Sequence, residues 1–172
     1  MVEWAQKEKV MIDVFFFLVK FNLYLIPFYA IIYFDVSFYP LQISFTNFLA
    51  WVLRLLNYPV ETSNFMMYIG ESKYPIDISR DCIGWKGVYS IFALVFATAG
   101  KIKDKLKFLV VWMPVLFVIN IFRVLITILI GLKFGLQYLE IAHTFIWQEL
   151  MIFAVLAIFY LWLKKRKLLV RK

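Results

Sequence analysis

Apolar residues run in long blocks along this chain, and the polar positions between them mark out its elements. Four blocks, residues 11–34, 82–100, 108–132 and 142–163, approach or exceed the roughly 20 helical residues that cross a hydrocarbon layer of about 30 Å. A fifth segment, 41–57 ("LQISFTNFLAWVLRLLN"), is mixed. Gln42, Thr46, Arg54 and Asn57 fall near one helical face, with Phe45, Phe48, Leu49, Val52 and Leu56 on the other. That pattern predicts a helix lying in the membrane interface or re-entering it. Residues 60–81 lack long apolar runs. There "NFMMYI" and "YPIDI" flank Gly70-Glu71-Ser72-Lys73, which predicts a short hairpin. The expected fold is all-α: a polytopic transmembrane helix bundle of about four to five spans plus an interfacial helix, with a short hairpin at the outer face.

Composition adds the class and the orientation. The chain has 172 residues, of which 64% are hydrophobic, and a mean hydropathy of +0.82, as expected of one integral membrane domain covering residues 1–172. The net charge of +8 does not point to nucleic acid. Its basic residues cluster in "GKIKDKLK" and "KKRKLLVRK", between or beyond the apolar blocks, as cytoplasmic segments of membrane proteins do. Those clusters orient a multi-pass protein of the cell membrane. The beginning of the 82–100 block, the end of 108–132 and the beginning of 142–163 then share the extracytoplasmic face. An inward N-terminus with an outward Cys82 requires an odd number of crossings before residue 82, which favours an interfacial 41–57. The block at 11–34 has no small-residue cleavage site after it and reads as an uncleaved span.

The polar residues within these blocks carry the candidate chemistry. Arg123 sits in "PVLFVINIFRVLITILIG" with no carboxylate, and Asn120 is its near polar neighbour at i, i+3. An ionisable group in a span costs at least about 2.5 kcal/mol near the bilayer centre and marks a functional site by default; a snorkelling arginine with a structural partner is the plainer alternative. Cys82 and His143 each begin a block on the same expected face as the end of the Arg123 span. A thiol at a helix start is favoured as thiolate by the backbone dipole, and an imidazole titrates near neutrality. Either residue alone is more often structural. Together, a thiol, an imidazole and a guanidinium suit nucleophilic acyl transfer, with thiolate attack, proton transfer and a cation for the oxyanion. Asp81 adjoins the thiol, while Gly84 and Gly87 allow close approach of a helix or substrate backbone, or ordinary close packing.

Several chemistries are excluded. One cysteine forms no internal disulfide or CxxC pair, and one histidine makes no HExxH or multi-histidine metal site. No metal and no cofactor is expected. There is no GxSG motif, and Asp13 and Asp35 lie at the two ends of the first block rather than paired within the membrane.

At these residues the sequence resembles the exosortase/archaeosortase family of membrane-embedded cysteine transpeptidases. The shared features are "DCIGWKG" with Cys82 and Gly84, "NIFR" with Asn120 and Arg123, and "AHTF" with His143, in that order over about residues 41–163. Ile83 and Gly87 depart from the residues common in the family. The short chain and the "DCIGWKG" form place the resemblance on its archaeosortase side. The resemblance implies substrates that are secreted proteins with a C-terminal tripartite sorting signal: a short motif, a hydrophobic span and a basic end. It implies a Cys82 thioester, an oxyanion or thiolate contact from Arg123, proton transfer by His143, and delivery to a lipid or glycan acceptor at the cell surface. Two other functions suit the same residues. One is a non-catalytic membrane assembly or transport subunit in which Arg123 pairs with a partner's carboxylate; the other is a cysteine protease that releases its product to water.

Overall fold

The computed structural model describes the backbone of residues 2–70, 74–135, 137–138 and 147–170. The chain forms α1 (Val2–Tyr33), α2 (Tyr39–Leu55), β1 (Val60–Ser63), β2 (Met66–Ile69), β3 (Tyr74–Asp77), one turn of 3-10 helix (Arg80–Ile83), α3 (Trp85–Ala97), α4 (Ile102–Phe134) and α5 (Trp147–Val170). Among the described residues, Val10–Tyr33 of α1 and the whole of α4 are long and apolar enough to cross a membrane. The block at 82–100 yields a shorter helix than its hydropathy predicts: the 13 residues of α3 span about 20 Å at 1.5 Å per residue. Residues 142–146 of the last block lie outside the described residues.

The chain divides into two compact units. Unit one takes residues 1–36, 88–113 and 155–172, and is held mainly by rings. Tyr24 meets Phe92 and Phe96 edge-on at 6.1 and 6.0 Å, and Phe17 stacks on Phe159 at 6.1 Å. The Tyr89 hydroxyl donates to the Tyr24 carbonyl at 2.8 Å. Trp162, 2% exposed, packs on Phe108 and donates its indole N–H to the Thr98 hydroxyl at 3.0 Å. Lys105 is buried, and its ammonium donates to the carbonyls of Phe96 and Thr98 at 3.0 and 2.6 Å. Those carbonyls lie at the end of α3, where no further helical turn supplies donors, so a lysine from α4 closes the helix.

Unit two takes residues 37–87 and 114–154. Pro40 begins α2, where a missing N–H costs nothing. The sheet has the order β1-β2-β3 and is antiparallel throughout, with Ser63 opposite Met66 and Ile69 opposite Tyr74. Asn64 makes the tight first turn at φ +56°, a backbone conformation that asparagine tolerates. The expected hairpin is therefore present as β2–β3 and gains a third strand, so the fold is helical with a small sheet rather than all-α. "VETS" is too short to announce itself as a strand; pairing with β2 makes it one. The Arg54 guanidinium ties α2 to β1 through two bonds to the Val60 carbonyl, at 3.0 and 2.8 Å.

α2 is turned differently from the expected interfacial helix. Gln42 and Thr46 are buried along with Phe45, Leu49, Ala50 and Leu53, whereas Leu41, Phe48, Trp51 and Leu55 are exposed. In an apolar surrounding Gln42 turns inward, where the Ile78 carbonyl accepts from it, and the large apolar side chains face out. The core of the unit joins that α2 face to Met67, Ile69 and Ile78, to Val124, Leu125 and Ile128 of α4, and to Cys82.

Candidate functional site

The site begins with a backbone turn. Cys82 N–H bonds the Ser79 carbonyl at 3.0 Å and Gly84 N–H bonds the Asp81 carbonyl at 3.4 Å, closing the 3-10 turn. Gly84 then adopts φ +81°, which ends the turn and sends the chain into α3 at Trp85. A left-handed residue cannot continue a right-handed helix. Cys82 therefore stands in the turn before α3, not on its first turn as the hydropathy block predicts.

The second constraint on Gly84 is Asn120. A Cβ on Gly84 would lie 2.6 Å from the Asn120 side-chain carbonyl carbon and 2.8 Å from its amide nitrogen. Only the hydrogen of glycine leaves room for this asparagine, which is fully buried and donates to the Cys82 carbonyl at 2.7 Å. The oxygen of the same amide accepts from the Arg123 guanidinium at 3.2 Å. Arg123 is 7% exposed, and Cys82 and Asp81 are its electrostatic neighbours. The i, i+3 spacing of "NIFR" thus becomes a bracket: Asn120 grips the backbone of the cysteine while Arg123 brings a positive charge beside it.

Cys82 is 5% exposed, with the Ser79 hydroxyl 3.4 Å from its sulfur. Ser79 was not apparent in the sequence; its only signal is a position three residues before the cysteine, in reach once the turn forms. Gln42 is a second such residue. From the buried face of α2 it donates to the Ile78 carbonyl at 3.4 Å, beside the start of the turn. One helical turn on, Thr46 is fully buried, its hydroxyl without a hydrogen-bond partner among the described residues. Asp81 pairs at 2.7 Å with Lys86, both half-exposed; such a surface pair contributes little stability. Gly87 lies in the first turn of α3, half-buried. His143 lies outside the described residues. Among the described residues no His, Cys, Asp and Glu side chains gather as three or more metal ligands.

The Gly84 contact is testable. Gly84→Ala combines a left-handed backbone, about 1–2 kcal/mol, with overpacking against a buried amide, about 1–3 kcal/mol. A clear fall in melting temperature in detergent is the expected result. A variant melting with the wild type would show that the bracket between Gly84 and Asn120 is not made.

A family model described as transmembrane exosortase matches residues 4–163. No curated protein and no solved structure matches the chain.

Proposed function

Because this chain belongs to the transmembrane exosortase family and is thus a membrane protein, we propose that it is a multi-pass cysteine transpeptidase that trims the C-terminal sorting signal of secreted proteins. The observation that carries this reading is the convergence of Cys82, Asn120 and Arg123 in one buried cluster of unit two. A buried guanidinium beside a nucleophilic sulfur supplies the positive charge that acyl transfer needs.

In the proposed reaction the Cys82 sulfur adds to the scissile carbonyl carbon, and the carbonyl electron pair moves to oxygen. Arg123 supplies positive charge to that oxyanion. Collapse expels the amine of the tail, which takes a proton from His143, and leaves the substrate as a Cys82 thioester. His143 then removes a proton from an acceptor nucleophile on a lipid or glycan. Attack by that nucleophile releases Cys82 as thiolate. Asn120 acts at one remove, by fixing the backbone that aims the sulfur. The positive-inside bias of the basic sequence clusters "GKIKDKLK" and "KKRKLLVRK" supports an extracytoplasmic site, where the motif of a tail with an inward basic end would emerge.

The test is co-expression of the full chain with a secreted protein bearing a motif, a hydrophobic span and a basic end, reading the intact mass of the product. Loss of the tail with added acceptor mass is the expected result and identifies the acceptor. Loss of the tail with only water added would make the protein a peptidase. An unprocessed substrate across several such tails would favour the assembly-subunit alternative.

A further inference from the structure

Unit one contains a groove that the cysteine chemistry does not use. Its volume is about 450 Å³, and Val14 and Phe17 of α1, Ala97 at the end of α3, and Phe159 and Leu163 of α5 form its apolar wall. Lys20 and Arg166 line it as well, together with one carboxylate, Asp13. Among the described residues Asp13 makes no ion pair with either cation. Lys105, 6% exposed, donates to the carbonyls of Phe96 and of Thr98, a residue of the groove's lining. Lys20 and Arg166 are its electrostatic neighbours.

Two cations, Lys20 and Arg166, therefore share an apolar groove with one carboxylate, and a third basic group nearby, Lys105, is hydrogen-bonded to uncharged oxygens. Uncompensated charge in such a setting is costly, so the arrangement favours an anion. The walls specify the rest of the ligand: phenylalanine, valine and leucine side chains accept a hydrocarbon chain, not a free polar anion. Basic pockets between membrane helices hold anionic lipid headgroups for this reason. A basic peptide, including the basic end of a sorting tail, would be repelled.

We infer that this groove binds an anionic phospholipid, its phosphate against Lys20 and Arg166 and an acyl chain along Phe17, Phe159 and Leu163. Ala97, Thr98 and Ala99 of the groove immediately precede the basic segment 101–107, whose cytoplasmic preference assigns the site to the inner leaflet. The inference does not rest on the transpeptidase reading and stands or falls separately from it.

Native mass spectrometry of the delipidated full chain in detergent, offered equal amounts of phosphatidylglycerol and phosphatidylcholine with identical acyl chains, tests it. The wild type should retain phosphatidylglycerol by about fivefold or more, and Lys20→Gln/Arg166→Gln should bring the ratio near one. Lys20→Gln alone replaces an exposed side chain and leaves packing intact, so it reads the site even if the double variant fails to fold; it should lower the ratio to about half. Ala99→Trp, which fills the groove without changing charge, should reduce retention of both lipids. Lys103→Gln/Lys107→Gln, exposed charges outside the groove, should keep the wild-type ratio. Equal retention of the two lipids by the wild type would overturn the inference, as would an unchanged ratio in Lys20→Gln and the double variant. A ratio lost equally in Lys103→Gln/Lys107→Gln would overturn it too, because diffuse surface charge would then explain the preference.

Discussion

Cys82→Ala protein should leave the tail of a co-expressed substrate in place, with processing reduced at least about 10³-fold, because removing a covalent nucleophile removes most of the catalysis it organises. The structure makes this variant a clean one. Asn120 holds the carbonyl of residue 82 rather than its side chain, at 2.7 Å, so alanine keeps the bracket and the turn. The losses are the sulfur, its packing in the core, and its contact with Ser79. Melting temperature should fall only slightly while processing disappears. Cys82→Ser keeps a similar shape but offers a hydroxyl, a far weaker nucleophile at neutral pH than a thiol beside a guanidinium, and should retain at most a trace. If Cys82→Ala processes its substrate as the wild type does, the cysteine is packing and nothing more.

Arg123→Gln should slow turnover by about 10²–10³-fold, the usual cost of losing one oxyanion donor, with KM little changed. Glutamine removes the charge while its amide can still serve the Asn120 oxygen that Arg123 now occupies at 3.2 Å, so most of the fold should persist. Arg123→Lys restores the charge without the planar fork and should recover only part of the rate. The split between rate and stability is the informative readout. A structural arginine would lose stability in step with activity; an arginine acting on the reacting oxygen loses rate while melting near the wild type. Full turnover by Arg123→Gln would remove the guanidinium from the mechanism.

The sequence by itself determined the helical character of α1 and α4, since a long uniformly apolar stretch has no other way to satisfy its backbone in lipid. It determined the β2–β3 hairpin, through turn residues set between two short apolar runs. It also singled out Cys82, Asn120 and Arg123, because a thiol or guanidinium is conspicuous against hydrocarbon and the i, i+3 spacing of the last two needs no tertiary information. It placed His143 in the same group, and that residue lies outside the described structure.

Only the tertiary structure decided which way the polar residues face. The amphipathic pattern sets Gln42 on a polar face, but a polar group in an apolar environment turns to where a partner is, and the Ile78 carbonyl lies inside. The 3-10 turn around Cys82, the proximity of Ser79, the cap that Lys105 places on α3, and β1 as a strand share that origin. Each rests on hydrogen bonds that hydrophobic periodicity does not record, and the low dielectric of the core and the membrane makes such bonds decisive.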